Sequence, residues 1–122
     1  MLYMEDVYEV EGDPYFGALR GRYSISDLQE VDRYAKLFGV QLVPCIQTLA
    51  HVDQYFMWEA IEYKYKDIDN ILNVGNAEVK ALLTRMIASL RQAFSTDIIH
   101  IGMDEAYNLG RGRYFDENGF RN

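Results

Sequence analysis

Three apolar runs separated by two helical patterns constrain the fold of this chain more than any other feature of its sequence. The runs span residues 2–10, 40–46 and 98–101 and are rich in β-branched or aromatic residues, which favour strands. Between them, apolar residues recur at helical spacing across 26–38 and 77–94. Strands that alternate with helices form parallel sheets through right-handed crossovers. The sequence therefore predicts a single α/β domain with a three-stranded parallel sheet.

The first helical pattern carries signals for both of its ends. Ser26 and Gln29 have the spacing of a capping box, which predicts that the helix begins there. Gly39 predicts a left-handed cap at the end of the helix. The apolar residues between these signals share one helix face, which we expect to lie in the core: Leu28, Val31, Ala35 and Phe38.

The remaining segments are less regular. Residues 52–73 mix aromatic and charged side chains and predict a long excursion with one short helix near 58–63. Beyond residue 106 we expect no further periodic element. Pro44 predicts a local distortion in the second strand, because proline has no amide hydrogen to donate. A three-stranded parallel sheet has two open edges, and we expect a homo-oligomer or further sequence to cover them.

The charge balance narrows the choice of partners. The net charge of −7 and the pI near 4.7 oppose binding to phosphate backbones and acidic lipids, so we expect no nucleic-acid and no membrane partner. The sequence has no apolar run of the roughly 18 residues that suggest a membrane span. Cys45 is the single cysteine and has no partner for an internal disulfide, which favours a reducing compartment such as the cytoplasm.

Two adjacent carboxylates, Asp104 and Glu105, follow the third apolar run. In parallel α/β sheets and barrels, ligands bind at the carboxyl ends of the strands, so this pair is a candidate active site. Neighbouring side chains on a strand point to opposite sides, and we therefore expect different roles for the two acids. One would donate a proton while the other stays ionised. The structural alternative is a salt bridge to Arg111 or Arg113.

Other polar or aromatic residues are weaker candidates for the same site. Asp6 lies near the end of the first strand, and His51 follows the second. His100 lies within the third strand, where a buried structural imidazole is the alternative. Trp58 offers an aromatic face of the kind that packs against sugar rings, with core packing as its alternative. The two histidines form no close-spaced pair of ligands, and we predict neither a metal site nor a cofactor.

Three blocks of the sequence resemble one enzyme family. His-Ile-Gly-Met-Asp-Glu at 100–105 resembles the His-x-Gly-x-Asp-Glu motif of glycoside hydrolase family 20, the β-N-acetylhexosaminidases. Gln-Thr-Leu-Ala-His at 47–51 and Leu-Tyr-Met-Glu-Asp-Val-Tyr at 2–8 resemble a cytosolic branch of that family. The resemblance implies that residues 1–122 are the central fragment of one catalytic domain. That fragment would be a partial TIM (β/α)8 barrel, a β-α-β-α-β segment corresponding to strands 2–4.

The resemblance also implies roles for individual residues. Glu105 would be the general acid and base, and Asp104 would hold and polarise the substrate's own 2-acetamido group. That group then attacks the anomeric carbon to form an oxazolinium intermediate, so that no enzyme carboxylate acts as the nucleophile. His51 and His100 match histidines that either line the site or support the residues that line it, and Asp6 is a weaker match. The implied substrate is a glycoside with a terminal β-linked N-acetylglucosamine or N-acetylgalactosamine.

The resemblance leaves part of the family's pocket outside this sequence. The first barrel strand, with its sugar-binding arginine, and the later strands are absent, so we expect the segment alone to be inactive. Two alternatives come from other functional classes. One is a carbohydrate-binding or assembly module that does no chemistry, and the other is an unrelated α/β domain with a structural Asp-Glu pair.

Overall fold

A computed structural model describes residues 1–120. Four helices and four short strands follow one another along these residues. Short 3-10 turns lie at Ala18–Arg20 and Tyr55–Met57. The strands and helices, in chain order, are β1 (Leu2–Glu5), α1 (Ile25–Leu37), β2 (Pro44–Ile46), α2 (Glu59–Tyr65), β3 (Lys66–Ile68), β4 (Ile71–Leu72), α3 (Ala77–Ala93) and α4 (Arg113–Asn118).

The central sheet is parallel, with β2 in its middle. Strand β1 pairs with β2 in a register that sets Tyr3 opposite Cys45. On the other side of β2 lies an edge segment, residues 100–102, in which His100 donates its amide to the Pro44 carbonyl at 2.9 Å. Ile46 in turn donates to the His100 carbonyl, also at 2.9 Å. The predicted parallel sheet is therefore confirmed in part: β1 and β2 are shorter than the apolar runs that predicted them, and the third run contributes a single bridge at His100.

The two faces of this sheet differ. Met4 on β1 and Ile46 on β2 are buried in the core that the sheet shares with the helices. Tyr3, which precedes Met4, points the opposite way and is 58% exposed, because successive side chains on a strand alternate between faces. Helices therefore cover one face, and the other face is open at Tyr3.

The third apolar run is partly exposed. Ile98 is 59% exposed and Ile101 is 43% exposed, whereas Ile99 packs against the core. The physical reason is that this run pairs with β2 alone. Its outer edge has no neighbouring strand among residues 1–120.

The N-cap of helix α1 lies two residues before the predicted one. The N-cap is Ser24, whose hydroxyl accepts from the Asp27 amide at 3.1 Å, while the Asp27 carboxylate accepts from the Ser24 amide at 2.9 Å. The prediction of Ser26 and Gln29 as the box is therefore wrong. A short aspartate at the third helical position closes the box as a glutamine would. The predicted end is confirmed, since Gly39 adopts φ +69° directly after the helix cap.

The predicted core face of α1 is only partly buried. Leu28 lies in the core, but Val31 is 42% exposed and Phe38 is 68% exposed. The Phe38 ring packs against Tyr34 instead, with ring centroids 5.2 Å apart. Helix α1 contacts α3 along one side. The exposed part of its apolar surface includes Val31, Leu37 and Phe38.

Helix α3 is the main helical contribution to the core and matches its prediction. Asn76 caps it by accepting from the Glu78 amide at 2.8 Å. Its buried apolar residues follow the helical period and pack against the sheet: Val79, Leu82, Met86, Leu90 and Ala93, with Phe94 directly after the helix.

The excursion and the C-terminal segment contain more structure than predicted. Helix α2 confirms the short helix, and the β3–β4 hairpin follows it, turning at Asp69 with φ +48°. Helix α4 shows that the expectation of no element beyond residue 106 is wrong. Asp67 holds the start of α4 by accepting from the Tyr114 amide at 2.7 Å and the Gly110 amide at 3.0 Å. Among residues 1–120, every helix is too short or too polar to span a bilayer.

Candidate active site

The carboxyl ends of β1, β2 and the edge segment meet at one edge of the sheet. Glu5 ends β1, Gln47 follows β2, and Asp104 follows the edge segment by two residues. Parallel pairing requires this arrangement, because β1, β2 and the edge segment all run in the same direction. The edge therefore gathers polar groups from three separate parts of the sequence.

One imidazole contacts both carboxylates of the Asp-Glu pair. His51 Nε2 lies 3.4 Å from Glu105 Oε2 and 3.7 Å from Asp104 Oδ2. The Asp104 and Glu105 side chains are more than half exposed, whereas His51 is 28% exposed. The structure thus brings together three of the residues predicted for the site.

Three residues at this edge adopt left-handed backbone conformations that side chains other than glycine rarely take. Glu5 has φ +46°, His51 has φ +58° and Glu105 has φ +55°. Each such residue costs about 1–2 kcal/mol and tends to occur at functional sites. At Glu105 the turn breaks the alternation of an extended strand. Because of that turn, two consecutive carboxylates reach the same imidazole.

Asp104 is held in its ionised form. The pKa of its carboxyl lies below the ordinary value because its own backbone amide and the side chain of Gln47 donate hydrogen bonds to it. His51 and His100 lower it further through their charge. The Gln47 bond runs from Nε2 to Asp104 Oδ1 at 3.3 Å.

Gly102 allows the chain to pass closely over β2. Its φ is +51°, and a Cβ atom added there would lie 2.2 Å from the Ile46 carbonyl oxygen and 2.7 Å from Gln47 Oε1. Both distances are shorter than real Cβ contacts. A residue with a side chain would therefore push Asp104 away from β2.

Asp6 lies beside the carboxyl end of β1 and is nearly buried, at 8% exposure. Its charged partner is Arg20, whose Nη1 lies 3.1 Å from Asp6 Oδ1. Burial raises the pKa of Asp6, and Arg20 opposes that rise. Arg20 also pairs with Glu5, where hydrogen bonds from Arg20 and Tyr3 outweigh burial and lower the pKa of Glu5.

The other two predicted residues have different neighbours. His100 is exposed, and its Nδ1 lies 3.2 Å from Cys45 Sγ. Trp58 is half-buried beside the core, with its ring 5.1 Å from that of Tyr15. These contacts join neither residue to the carboxylate pair directly.

The predicted salt-bridge alternative can be checked at Arg113. Its guanidinium donates to the carbonyl oxygens of Tyr63 and Lys66, and its charge lies over the Tyr63 ring. Arg113 therefore supports the α2–β3 region instead of Asp104 or Glu105. Within residues 1–120, no group of three or more His, Cys, Asp or Glu side chains is arranged to hold a metal ion.

Sequence reasoning missed the roles of Tyr3, Gln47 and Arg20. Gln47 donates to Tyr3 as well as to Asp104, at 3.4 Å to the hydroxyl oxygen, and Tyr3 donates to Glu5 at 2.9 Å. The one signal in the sequence was the position of Gln47, a polar residue directly after a buried strand. Nothing local indicated that Arg20 would reach back to β1.

Nearly the whole chain is similar in sequence to known proteins. Residues 5–113 match the catalytic domain of glycosyl hydrolase family 20. Hexosaminidase D from Bos taurus is 30% identical over 111 residues, which are 88% of this chain and 32% of that protein. Hexosaminidase D from Homo sapiens is 29% identical over 112 residues, which are 88% of this chain and 23% of that protein. The chain thus spans less than a third of the length of each of these relatives, and it belongs to glycosyl hydrolase family 20.

Proposed function

We propose that this chain is the part of a β-N-acetylhexosaminidase that carries its catalytic carboxylates. In this proposal β1, β2 and the edge segment are strands two, three and four of a (β/α)8 barrel. The sheet supports this, because helices cover one face and the site residues Tyr3 and Glu5 belong to the other. Barrel strands have the same two faces, with helices outside and the closed barrel inside.

The proposed reaction removes a terminal β-linked N-acetylglucosamine or N-acetylgalactosamine with retention of configuration. Glu105 gives a proton to the glycosidic oxygen as the bond breaks. Asp104 accepts a hydrogen bond from the acetamido N–H and stabilises positive charge while the acetamido oxygen attacks the anomeric carbon. Glu105 then takes a proton from the water that opens the oxazolinium ring.

One observation carries this division of roles. Both carboxylates reach His51, but Gln47 donates to Asp104 and not to Glu105. An acid with a lowered pKa stays ionised, which suits the group that stabilises positive charge and does not suit a proton donor. Asp104 therefore takes the orienting role, and Glu105 is left for proton transfer.

The rest of the pocket comes from other parts of the barrel. The Asp104 and Glu105 side chains are more than half exposed, so this segment does not enclose a sugar. We therefore propose that residues 1–122 alone do not hydrolyse glycosides, and that the full-length protein does. The unpaired Cys45 supports activity in a reducing compartment, the cytoplasm.

The test is Glu105→Gln in the full-length protein. Loss of the proton donor slows the cleavage of a substrate most when its leaving group needs a proton to depart. We expect kcat/KM to fall by about 10²–10⁴-fold for an alkyl N-acetyl-β-glucosaminide. The loss for the 2,4-dinitrophenyl glycoside, whose leaving group departs without a proton, should be much smaller.

The matched control is Glu30→Gln, which removes an exposed glutamate from α1 and should leave both substrates unaffected. Equal losses on the two substrates in Glu105→Gln would remove Glu105 from the acid role. A full-length protein that binds the sugars and cleaves neither glycoside would favour the carbohydrate-binding alternative.

A further inference from the structure

We propose that Gln47 is a positioning residue for Asp104, and that Tyr3, Glu5 and Arg20 hold Gln47 in place. These five residues form a relay from the turn at Ala18–Arg20 to the orienting carboxylate. The inference rests on the proposed function, because it assigns a role toward the reaction of that site. It adds four residues that are not part of the Asp-Glu pair.

Each hydrogen bond of the relay has a defined donor and acceptor. Tyr3 donates its hydroxyl hydrogen to Glu5 Oε1 at 2.9 Å, so its oxygen is free to accept from Gln47 Nε2 at 3.4 Å. The second hydrogen of the same Gln47 amide points to Asp104 Oδ1 at 3.3 Å. Because both neighbours are acceptors, only the nitrogen of Gln47 can face them. The relay therefore fixes which way this amide is turned.

Packing prevents Gln47 from leaving this position. The side chain is only 3% exposed, and its Oε1 is buried without a hydrogen-bond partner among residues 1–120. A buried acceptor without a partner costs about 1–3 kcal/mol. The bare Cα of Gly102 lies against this oxygen, where a Cβ would be at 2.7 Å. In this buried position the Gln47 amide nitrogen is a fixed donor to Asp104.

The far end of the relay is anchored by charge. Arg20 pairs with Glu5 and lies 3.1 Å from Asp6, so one guanidinium holds the end of β1. Glu5 then stays ionised and is a strong acceptor for Tyr3. Tyr3 keeps its proton, because burial and the nearby Glu5 carboxylate outweigh the hydrogen bond from Gln47 and raise the pKa of Tyr3. The two carboxylates, Glu5 and Asp104, therefore fix the donor directions of Tyr3 and Gln47, which lie between them.

The relay affects catalysis through the position and charge of Asp104. A carboxylate that orients a nucleophilic acetamido group acts only when it is ionised and correctly placed. The charged or titratable groups near it are His51, His100, Tyr3 and the neighbouring Glu105. Gln47 is the neutral donor in this set, so its contribution does not change with pH.

The test compares Gln47→Met and Gln47→Glu in the full-length protein, with Gln41→Met as the matched control. Gln41 is exposed and lies before the opposite end of β2. Two readouts are needed: the pKa of Asp104 from a carboxyl ¹³C NMR titration, and the pH profile of kcat/KM for 4-nitrophenyl N-acetyl-β-glucosaminide. The first of these does not depend on activity.

We expect the Asp104 pKa to rise in Gln47→Met, and to rise further in Gln47→Glu, which places a second carboxylate beside it. The acidic limb of kcat/KM should move to higher pH by the same amount. At the pH optimum, kcat should fall by about 10–100-fold, with KM changed by less than about threefold. Gln41→Met should match the wild type in all of these measurements.

Two results would overturn the inference. One is an Asp104 titration that is the same in Gln47→Met as in the wild type, and the other is a shifted titration that the acidic limb does not follow. If Gln47→Met does not fold, Tyr3→Phe replaces it. Tyr3 is 58% exposed, and losing its hydroxyl should move both readouts in the same direction by a smaller amount. Wild-type activity judges the proposed function separately.

Discussion

At the scale of single residues, Gly102 and Gly21 provide a direct test of how closely the edge segment passes over β2. Both have positive φ, but a Cβ at Gly21 would meet nothing within 4 Å, whereas one at Gly102 would meet Ile46 and Gln47. Gly21→Ala should therefore cost only backbone strain, about 1 kcal/mol. Gly102→Ala should cost clearly more, and the midpoint of thermal unfolding of the full-length protein should show the difference.

The same comparison extends to function. Gly102→Ala should lower the kcat of the proposed reaction in the full-length protein, because Asp104 follows two residues later and its bond to Gln47 would be lost. Gly21→Ala lies away from that bond and should not lower kcat. Equal unfolding midpoints and equal kcat in the two variants would show that the close approach is unimportant.

The sequence predicted the two acids of the site but not the residues that hold them in place. Asp104, Glu105 and His51 could be proposed because each follows an apolar run. The structure brings a carboxylate oxygen of each acid within 3.7 Å of His51 Nε2. The roles of Gln47 and Arg20 depend on contacts with residues 57 and 15 positions away. Such contacts have no local signature.

At the scale of elements, the start of α1 separates the structural assignment from the sequence prediction. Ser24 caps the helix through Asp27, whereas Ser26 was the predicted cap. Ser24→Ala should lower the stability of the full-length protein by about 1 kcal/mol, the typical effect of losing an N-cap. Ser26→Ala should have little effect. The order of the two unfolding midpoints checks the assignment, and the reverse order would restore the predicted capping box.

Elements were predictable where the pattern was local and were missed where tertiary contacts decide. Helix α3 follows from its apolar period. Strand β2 lies within the apolar run that predicted it, residues 40–46, but covers only Pro44–Ile46. Helix α4 depends on Asp67, which accepts from the Tyr114 amide 47 positions away. A short helix held from outside has no periodic signal of its own.

At the scale of the whole molecule, the open surfaces are the main finding. The outer side of α1 exposes Val31, Leu37 and Phe38, and the edge segment exposes Ile98 and Ile101. Together they leave apolar surface uncovered on α1 and along the edge segment. The sequence predicted open edges from the number of strands. It could not predict how much of α1 would also lie bare, because that depends on which elements reach it.

These surfaces link the fold to the proposed activity. The carboxylate pair, His51 and the Gln47 relay are complete within residues 1–120, but the walls that would enclose a sugar are not. A barrel that supplies the other strands would bury the open face and close the site. A homo-oligomer that covers the same edges stays a prediction, together with the inactivity of the isolated segment.

The measurement that tests the central claim most directly is calorimetric titration of the full-length protein with the thiazoline derived from N-acetylglucosamine. This compound resembles the oxazolinium intermediate, and a catalytic site binds such mimics at least about 100-fold more tightly than a ground-state ligand. We predict that preference over free N-acetylglucosamine, and its loss in Asp104→Asn but not in the control Asp116→Asn on the exposed side of α4. Thiazoline binding no tighter than that of the free sugar, or unchanged by Asp104→Asn, would contradict the proposed role of the carboxylate pair.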